Sequence, residues 1–180
     1  MKRQIIGSLL GAIAIFLWQF LSWAALGVHS TEQQYTSAQD EILQFLADQN
    51  LEEGHYFLPT VQEGSTAEQE QALMEQSAGK PWAMVSYHES FNISMGMNLV
   101  RGFTIDFVAV FLLVWILMRF ETLDIKNAVM AALAVGFIGY LTIPYLNSIW
   151  YEIPTLGYII DVIISWSIVG AILGWYLRRP

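Results

Sequence analysis

Residues 156–177 read LGYIIDVIISWSIVGAILGWYL, a run of 22 positions with a single charge at Asp161. A helix needs roughly 20 mostly apolar residues to cross the hydrocarbon core of a bilayer, and this run is long enough. Three more stretches qualify, at 5–26, about 99–118 and 127–146. Were they buried helices of a water-soluble protein, almost no amphipathic helix would remain among the 180 residues to cover them.

Composition points the same way. Hydrophobic residues make up 55% of the chain and charged residues 13%, against about 25% charged in soluble domains. Eight Lys and Arg face sixteen Asp and Glu, so no basic face exists for nucleic acid, which is excluded as a partner. The absence of cysteine removes disulfides, thiolate metal sites and thiol nucleophiles together.

The first apolar run follows Lys2 and Arg3 and exceeds the 7–15 residues of a signal-peptide core. It reads as a retained anchor, although Ser22-Trp23-Ala24-Ala25 gives a weak cleavage-like pattern. Positive residues mark the cytoplasmic side of a span. Lys2, Arg3, Arg119, Lys126, Arg178 and Arg179 fall at one set of span ends, with only Lys80 and Arg101 at the other. That distribution predicts cytoplasmic termini and an extracytoplasmic segment 28–98. Trp18, Trp23, Trp150, Tyr151 and Trp175 fall near the span ends, where amphipathic rings are favoured.

The expected architecture is a membrane all-α fold: an antiparallel four-transmembrane-helix bundle with a small α/β extracytoplasmic insert between helices 1 and 2. Its parts are transmembrane helix 1 at 1–27, the insert at 28–98 and helices 2–4 with short loops at 99–180. The insert holds eleven acidic residues and one lysine. Thr36 with Gln39 and Ser65 with Glu68 match the capping-box pattern, predicting helices over about 36–49 and 66–78. Short strands are predicted at 55–58 and 82–88. Together these elements imply a two-layer cap too small to be stable alone.

Inside lipid, close helix approach depends on small residues. Gly7 and Gly11 in the first span and Gly170 and Gly174 in the fourth lie at matching depth and predict close antiparallel contact there. Ala128, Ala132 and Gly136 lay a similar stripe on the third span.

Two aspartates interrupt the spans, although an aspartate at a helix centre costs roughly 2.5–3.5 kcal/mol even on lenient scales. Counted from the expected span starts at 1.5 Å per residue, Asp106 and Asp161 both lie roughly 7–11 Å below the outer boundary. Arg101 enters from the same side, and Tyr140 and Tyr145 offer hydroxyls. These residues form a candidate intramembrane polar cluster for a proton, cation or basic ligand. The blander reading makes Asp106 interfacial and gives Asp161 a register-holding role.

Catalytic signatures are missing: no Gly-rich phosphate loop, no G-x-S-x-G elbow and no H-E-x-x-H helix. His29, His55 and His88 are spaced by 26 and 33 residues, match no compact zinc motif and read as surface or capping residues. His88, Met95 and Met97 offer imidazole and thioether groups that suit Cu(I), yet methionines before a span more often serve packing or lipid contact. Lys80 and Trp82, flanking Pro81, are interface candidates. The expected role is non-catalytic: an accessory or scaffolding subunit of a larger inner-membrane assembly of bacterial type. Its partners would be lipid, protein partners or copies of itself, and no cofactor is predicted. The alternatives are a small proton- or cation-coupled transporter and an extracytoplasmic copper-binding protein.

Overall fold

A computed structural model describes residues 1–178, which form two compact units: Met1–Gln34 together with Ser94 onward, and Tyr35–Ile93. Arg179, counted above among the positive residues, lies outside the described residues. The first unit is wholly helical. Its elements are α1 (Lys2–Phe20), extended by a π turn at Leu21–Ala25, and α4 (Met95–Leu117). They continue with α5 (Ile125–Tyr140), a second π turn at Leu141–Tyr145, α6 (Leu146–Tyr151) and α7 (Leu156–Leu177). Four of the resulting helical stretches, Lys2–Ala25, Met95–Leu117, Ile125–Tyr151 and Leu156–Leu177, are long and apolar enough to cross a membrane. This is what a multi-pass membrane protein requires.

The π turns have local causes. Pro144 has no N–H to donate and clashes with the preceding turn of an α-helix, and the wider turn at Leu141–Tyr145 accommodates it without ending the span. At the end of the first span the Leu26 N–H reaches back to the Leu21 carbonyl. The turn it closes contains Ser22, which is fully buried.

α1 packs on α4 and α7, and α7 packs on α5, while α4 and α5 meet only sparsely. The shared core is aliphatic: Ile15 from α1, Val110, Leu113, Val114 and Leu117 from α4, Ala128 and Ala132 from α5, and Val169, Leu173 and Leu177 from α7. Large apolar side chains such as Ile105, Leu112, Ile138 and Ile163 point outward and are exposed, as suits a lipid solvent rather than water.

The glycines pack differently from the expectation. Gly170 and Gly174 do not meet Gly7 and Gly11 but lie against α5. A Cβ at Gly170 would stand 2.6 Å from Val129 Cα, and one at Gly174 would stand 2.7 Å from Ile125 Cα. Gly7 faces Leu173 and Tyr176 of α7, while Gly11 faces Val110 of α4 and Val169. The small-residue stripe of α5 explains the choice. Ala128 and Ala132 are both buried and let the two backbones approach, whereas the small residues Gly7 and Gly11 of α1 are met by side chains, Leu173 and Tyr176 at the first and Val110 and Val169 at the second. Farther along, Trp166 fills the space over Gly136.

The second unit contains α2 (Gln39–Asp48), β1 (Gly54–Leu58), α3 (Ala67–Ser77) and β2 (Ala83–Tyr87). The strands pair antiparallel, with Gly54 opposite Tyr87, Tyr56 opposite Val85 and Leu58 opposite Ala83. The capping box of α3 sits one residue later than the sequence pattern first indicates. Thr66 accepts from the Gln69 N–H and the Gln69 side chain accepts from the Thr66 N–H, while Ser65 bonds the Gln62 carbonyl. The Thr66 side chain also bonds Glu68 and holds its carboxyl below the usual carboxylate range. Thr36 bonds the Ala38 N–H instead of capping at Gln39, so α2 starts at Gln39 rather than near 36.

The expected two-layer packing does not form, because neither α2 nor α3 contacts another element extensively. No residue from 35 to 93 is buried, and Ile42, Leu43, Phe45, Met74 and Met84 are all exposed.

Candidate functional site: a buried carboxylate and histidine cluster

One face of α1 is polar where the helix is otherwise apolar. Trp18, Gln19 and Ser22 follow Ile15 at spacings of three and four, which stacks them on one side of a helix. They meet the two intramembrane aspartates. Trp18 Nε1 donates to Asp161 Oδ1 at 2.9 Å and Ser22 Oγ donates to the same oxygen at 2.6 Å. Gln19 Nε2 donates to Asp106 Oδ1 at 3.1 Å.

Beyond the π turn the chain reverses at Gly27, whose φ of +62° is a left-handed conformation that costs glycine little. The reversal brings residues 28–34 back onto α7, which is why they belong to the helical unit and the expected boundary at 27/28 falls too early. His29 is 4% exposed and lies between two carboxylates. Its Nε2 is 2.9 Å from Asp161 Oδ2 and its Nδ1 is 2.7 Å from Glu32 Oε1. Trp23 stacks on one face of the ring at 3.8 Å, and Tyr158 meets it edge-on at 5.3 Å. Gly157, in the first turn of α7, makes room: a Cβ there would stand 2.7 Å from His29 Nδ1 and 2.8 Å from Glu32 Oε1. A carboxylate at that position also faces the positive end of the α7 dipole. His29 is therefore not the surface or capping residue that its spacing implied.

The arrangement constrains the chemistry. In a Ser-His-Asp triad one imidazole nitrogen faces a carboxylate and the other a nucleophile. Here both nitrogens face carboxylates, so the ring as placed has no lone pair directed at a substrate.

Asp106 and Asp161 line one cavity of about 270 Å³. Asp106 stands at the midpoint of α4, because that helix begins at Met95 rather than at 99. It is 6% exposed, and its Oδ2 is buried with no hydrogen-bond partner among the described residues. Tyr140 lines the same cavity, and its hydroxyl donates to Thr155 Oγ1 at 3.2 Å. Arg101 does not join the group: it is exposed, lies outside the cavity lining and makes no ion pair among the described residues. Gln19 supplies the donor to Asp106 that had been expected of Arg101. Tyr145 is exposed, its ring tilted by 39° to that of Tyr140 with centroids 5.9 Å apart.

The remaining candidates are elsewhere. Lys80 and Trp82 line a groove of about 530 Å³ in the insert, where Trp82 rests on Phe57 at 5.6 Å. His88 belongs to the insert and is 3.5 Å from Ser86 Oγ, whereas Met95 and Met97 are exposed residues of α4. Among the described residues no three His, Asp or Glu side chains are grouped so as to hold a metal ion. His29, Glu32, Trp18, Gln19, Ser22 and Tyr158 are the site residues that the sequence reading missed. The polar stripe at the end of the first apolar helix was the visible signal of Trp18, Gln19 and Ser22 only. No protein family, curated protein or solved structure matches this chain.

Proposed function

We propose that this chain is a non-catalytic multi-pass membrane protein that serves as an accessory or scaffolding subunit. In this reading four antiparallel spans keep both termini in the cytoplasm of a bacterial-type inner membrane, and the acidic insert faces outward as the docking element. The supporting observation is the insert itself: with no buried residue from 35 to 93 and Ile42, Leu43 and Phe45 exposed on α2, it lacks a core of its own. A two-stranded sheet of this size is marginal in water without further packing. Docking onto a protein partner or a second copy would supply that packing. The positive residues at Lys2, Arg3, Arg119, Lys126 and Arg178 support the orientation.

The test is site-specific photocrosslinking from position 45 in native membranes, followed by sizing in mild detergent. A discrete adduct that Leu43→Asp abolishes is expected. A monodisperse 20.4 kDa monomer with no adduct would refute the subunit role.

A second reading, cation- or proton-coupled transport, is favoured by one observation: Asp106 and Asp161 share a cavity. Proton or sodium flux into liposomes that Asp161→Asn abolishes would support it, and equal flux through wild type and variant would refute it.

A further inference from the structure

Positive residues gather at one end of the helical unit, and two of them line a cavity. α1 begins there with Lys2 and Arg3, and α4 and α7 end there at Leu117 and Leu177. The cavity between these ends measures about 490 Å³, within the range that holds small organic groups. Arg3, Arg178, Glu121 and Thr122 belong to its lining, beside apolar residues that include Leu117, Met118 and Phe120. Arg3 Nη2 donates to the carbonyl of Leu177, itself a lining residue, which holds that guanidinium at the cavity wall. Capping the negative end of α7 explains this contact. It leaves Arg178 unexplained, since that residue is exposed and forms no ion pair among the described residues.

Charge and depth together define what would fill the space. The lining carries two guanidinium groups against one carboxylate, and Lys2, Arg119 and Lys126 lie at the same end, opposed by Asp124, which caps α5. A planar guanidinium matches the oxygens of a phosphate. α4 and α7 each bear an exposed tryptophan two residues before they end, Trp115 and Trp175, and the Arg119 guanidinium lies 4.6 Å from the Trp115 ring centre. Such rings mark the headgroup level of a bilayer. The cavity therefore sits at the depth of phospholipid phosphates whichever way the chain is oriented. Basic pockets between membrane helices are known to take anionic headgroups, and a lining that is part charged and part apolar suits an amphiphile better than a free ion.

We propose that this cavity binds one anionic phospholipid, its headgroup phosphate pairing with Arg178 beside the wall that Arg3 holds. Glu121 opposes the phosphate and limits its affinity. The site draws on no residue of the insert and shares none with the cavity of the two aspartates, so it stands or falls apart from the docking and transport readings.

The test is native mass spectrometry of the full chain in mild detergent, titrated with phosphatidylglycerol and, in parallel, with net-neutral phosphatidylcholine. The first phosphatidylglycerol should bind about fivefold tighter or more, the scale of one basic residue near an anionic membrane surface. Arg178→Gln should weaken it about fivefold and leave phosphatidylcholine unchanged, whereas Glu121→Gln should tighten it. Both side chains are exposed, so neither change threatens the fold. Lys126→Gln, at the same end but outside the lining, is the control for diffuse charge and should alter affinity less than about twofold. Equal affinity for the two lipids, a loss in Lys126→Gln as large as in Arg178→Gln, or weaker binding in Glu121→Gln would overturn the proposal. Inorganic phosphate at the lipid's own concentration should displace none of it, and displacement would assign the cavity to the free ion and overturn the lipid site.

Discussion

His29 Nε2 lies 2.9 Å from Asp161 Oδ2 across 132 residues of sequence, which ties the chain just beyond the first apolar helix to the second turn of the last. The same ring contacts Glu32 through its other nitrogen, so one imidazole is the common partner of two carboxylates. Replacing it with leucine leaves both acids facing an apolar group. His29→Leu should destabilise the helical unit by on the order of 2–3 kcal/mol, the cost of stranding buried polar partners. Thermal unfolding in detergent checks this, and the double variant His29→Leu/Asp161→Asn should lose less than the two single changes combined. Strict additivity would show that the two residues do not act as a pair.

Gly157 tests the geometry of that clamp from the other side. Alanine there places a Cβ within 3 Å of His29 Nδ1 and Glu32 Oε1, so Gly157→Ala should cost roughly 1–3 kcal/mol through overpacking. Gly102→Ala, where a Cβ meets nothing within 4 Å, should be neutral or slightly stabilising because alanine favours helix. Melting temperatures of the two variants measured side by side decide it, and equal values would contradict the packing.

The contact between α5 and α7 predicts an asymmetry among glycines that look alike in sequence. At Gly170 the obstacle is backbone, Val129 Cα and the Ala128 carbonyl, which cannot rotate away. At Gly7 the nearest atoms are side-chain carbons at 3.4–3.5 Å, an ordinary contact distance. Gly170→Ala should therefore destabilise by about 1–3 kcal/mol, and Gly7→Ala should change stability far less. A ranking in the opposite order would refute the assignment of Gly170 to the α5 interface.

In the insert, Thr66 makes two separable contributions. Its side chain caps α3, and Thr66→Ala should reduce helix stability by about 1 kcal/mol, visible as lost helicity by circular dichroism. Its bond to Glu68 lowers that carboxyl's pKa. A depressed folded value means that the contribution is present above the unfolded pKa and is lost as pH falls through the folded one. Helicity of α3 should accordingly fall on acidification, and in Thr66→Ala the Glu68 carboxyl should titrate nearer its ordinary range by NMR. An unchanged Glu68 titration in the variant would contradict this bond.

Span positions were legible because length and apolarity are local properties of the chain, and 156–177 coincides with α7. The start of α4 was less so. Met95–Asn98 precede the apolar run but already continue its helix, and this places Asp106 at mid-helix. The cluster was mostly hidden, since its histidine lies beyond the span and reaches Asp161 only through the reversal at Gly27. Arg101 was the obvious cation to pair with an aspartate, but a neutral amide on α1 took that place. Ser65 and Thr66 both fit the capping pattern with partners three residues on, and sequence alone does not choose between overlapping matches. The helices of the insert were found within a few residues, whereas their failure to pack on the sheet depends on tertiary contacts that no local pattern encodes.

The central claim is a chain that crosses the membrane four times with the insert on the outer face. Because it has no native cysteine, single cysteines report topology directly. Lys80→Cys and Thr122→Cys should be treated with a membrane-impermeant maleimide in sealed right-side-out vesicles, before and after permeabilisation. The account predicts that Lys80→Cys labels at once and Thr122→Cys only after the membrane is opened. Immediate labelling of both, or protection of Lys80→Cys until permeabilisation, would contradict it.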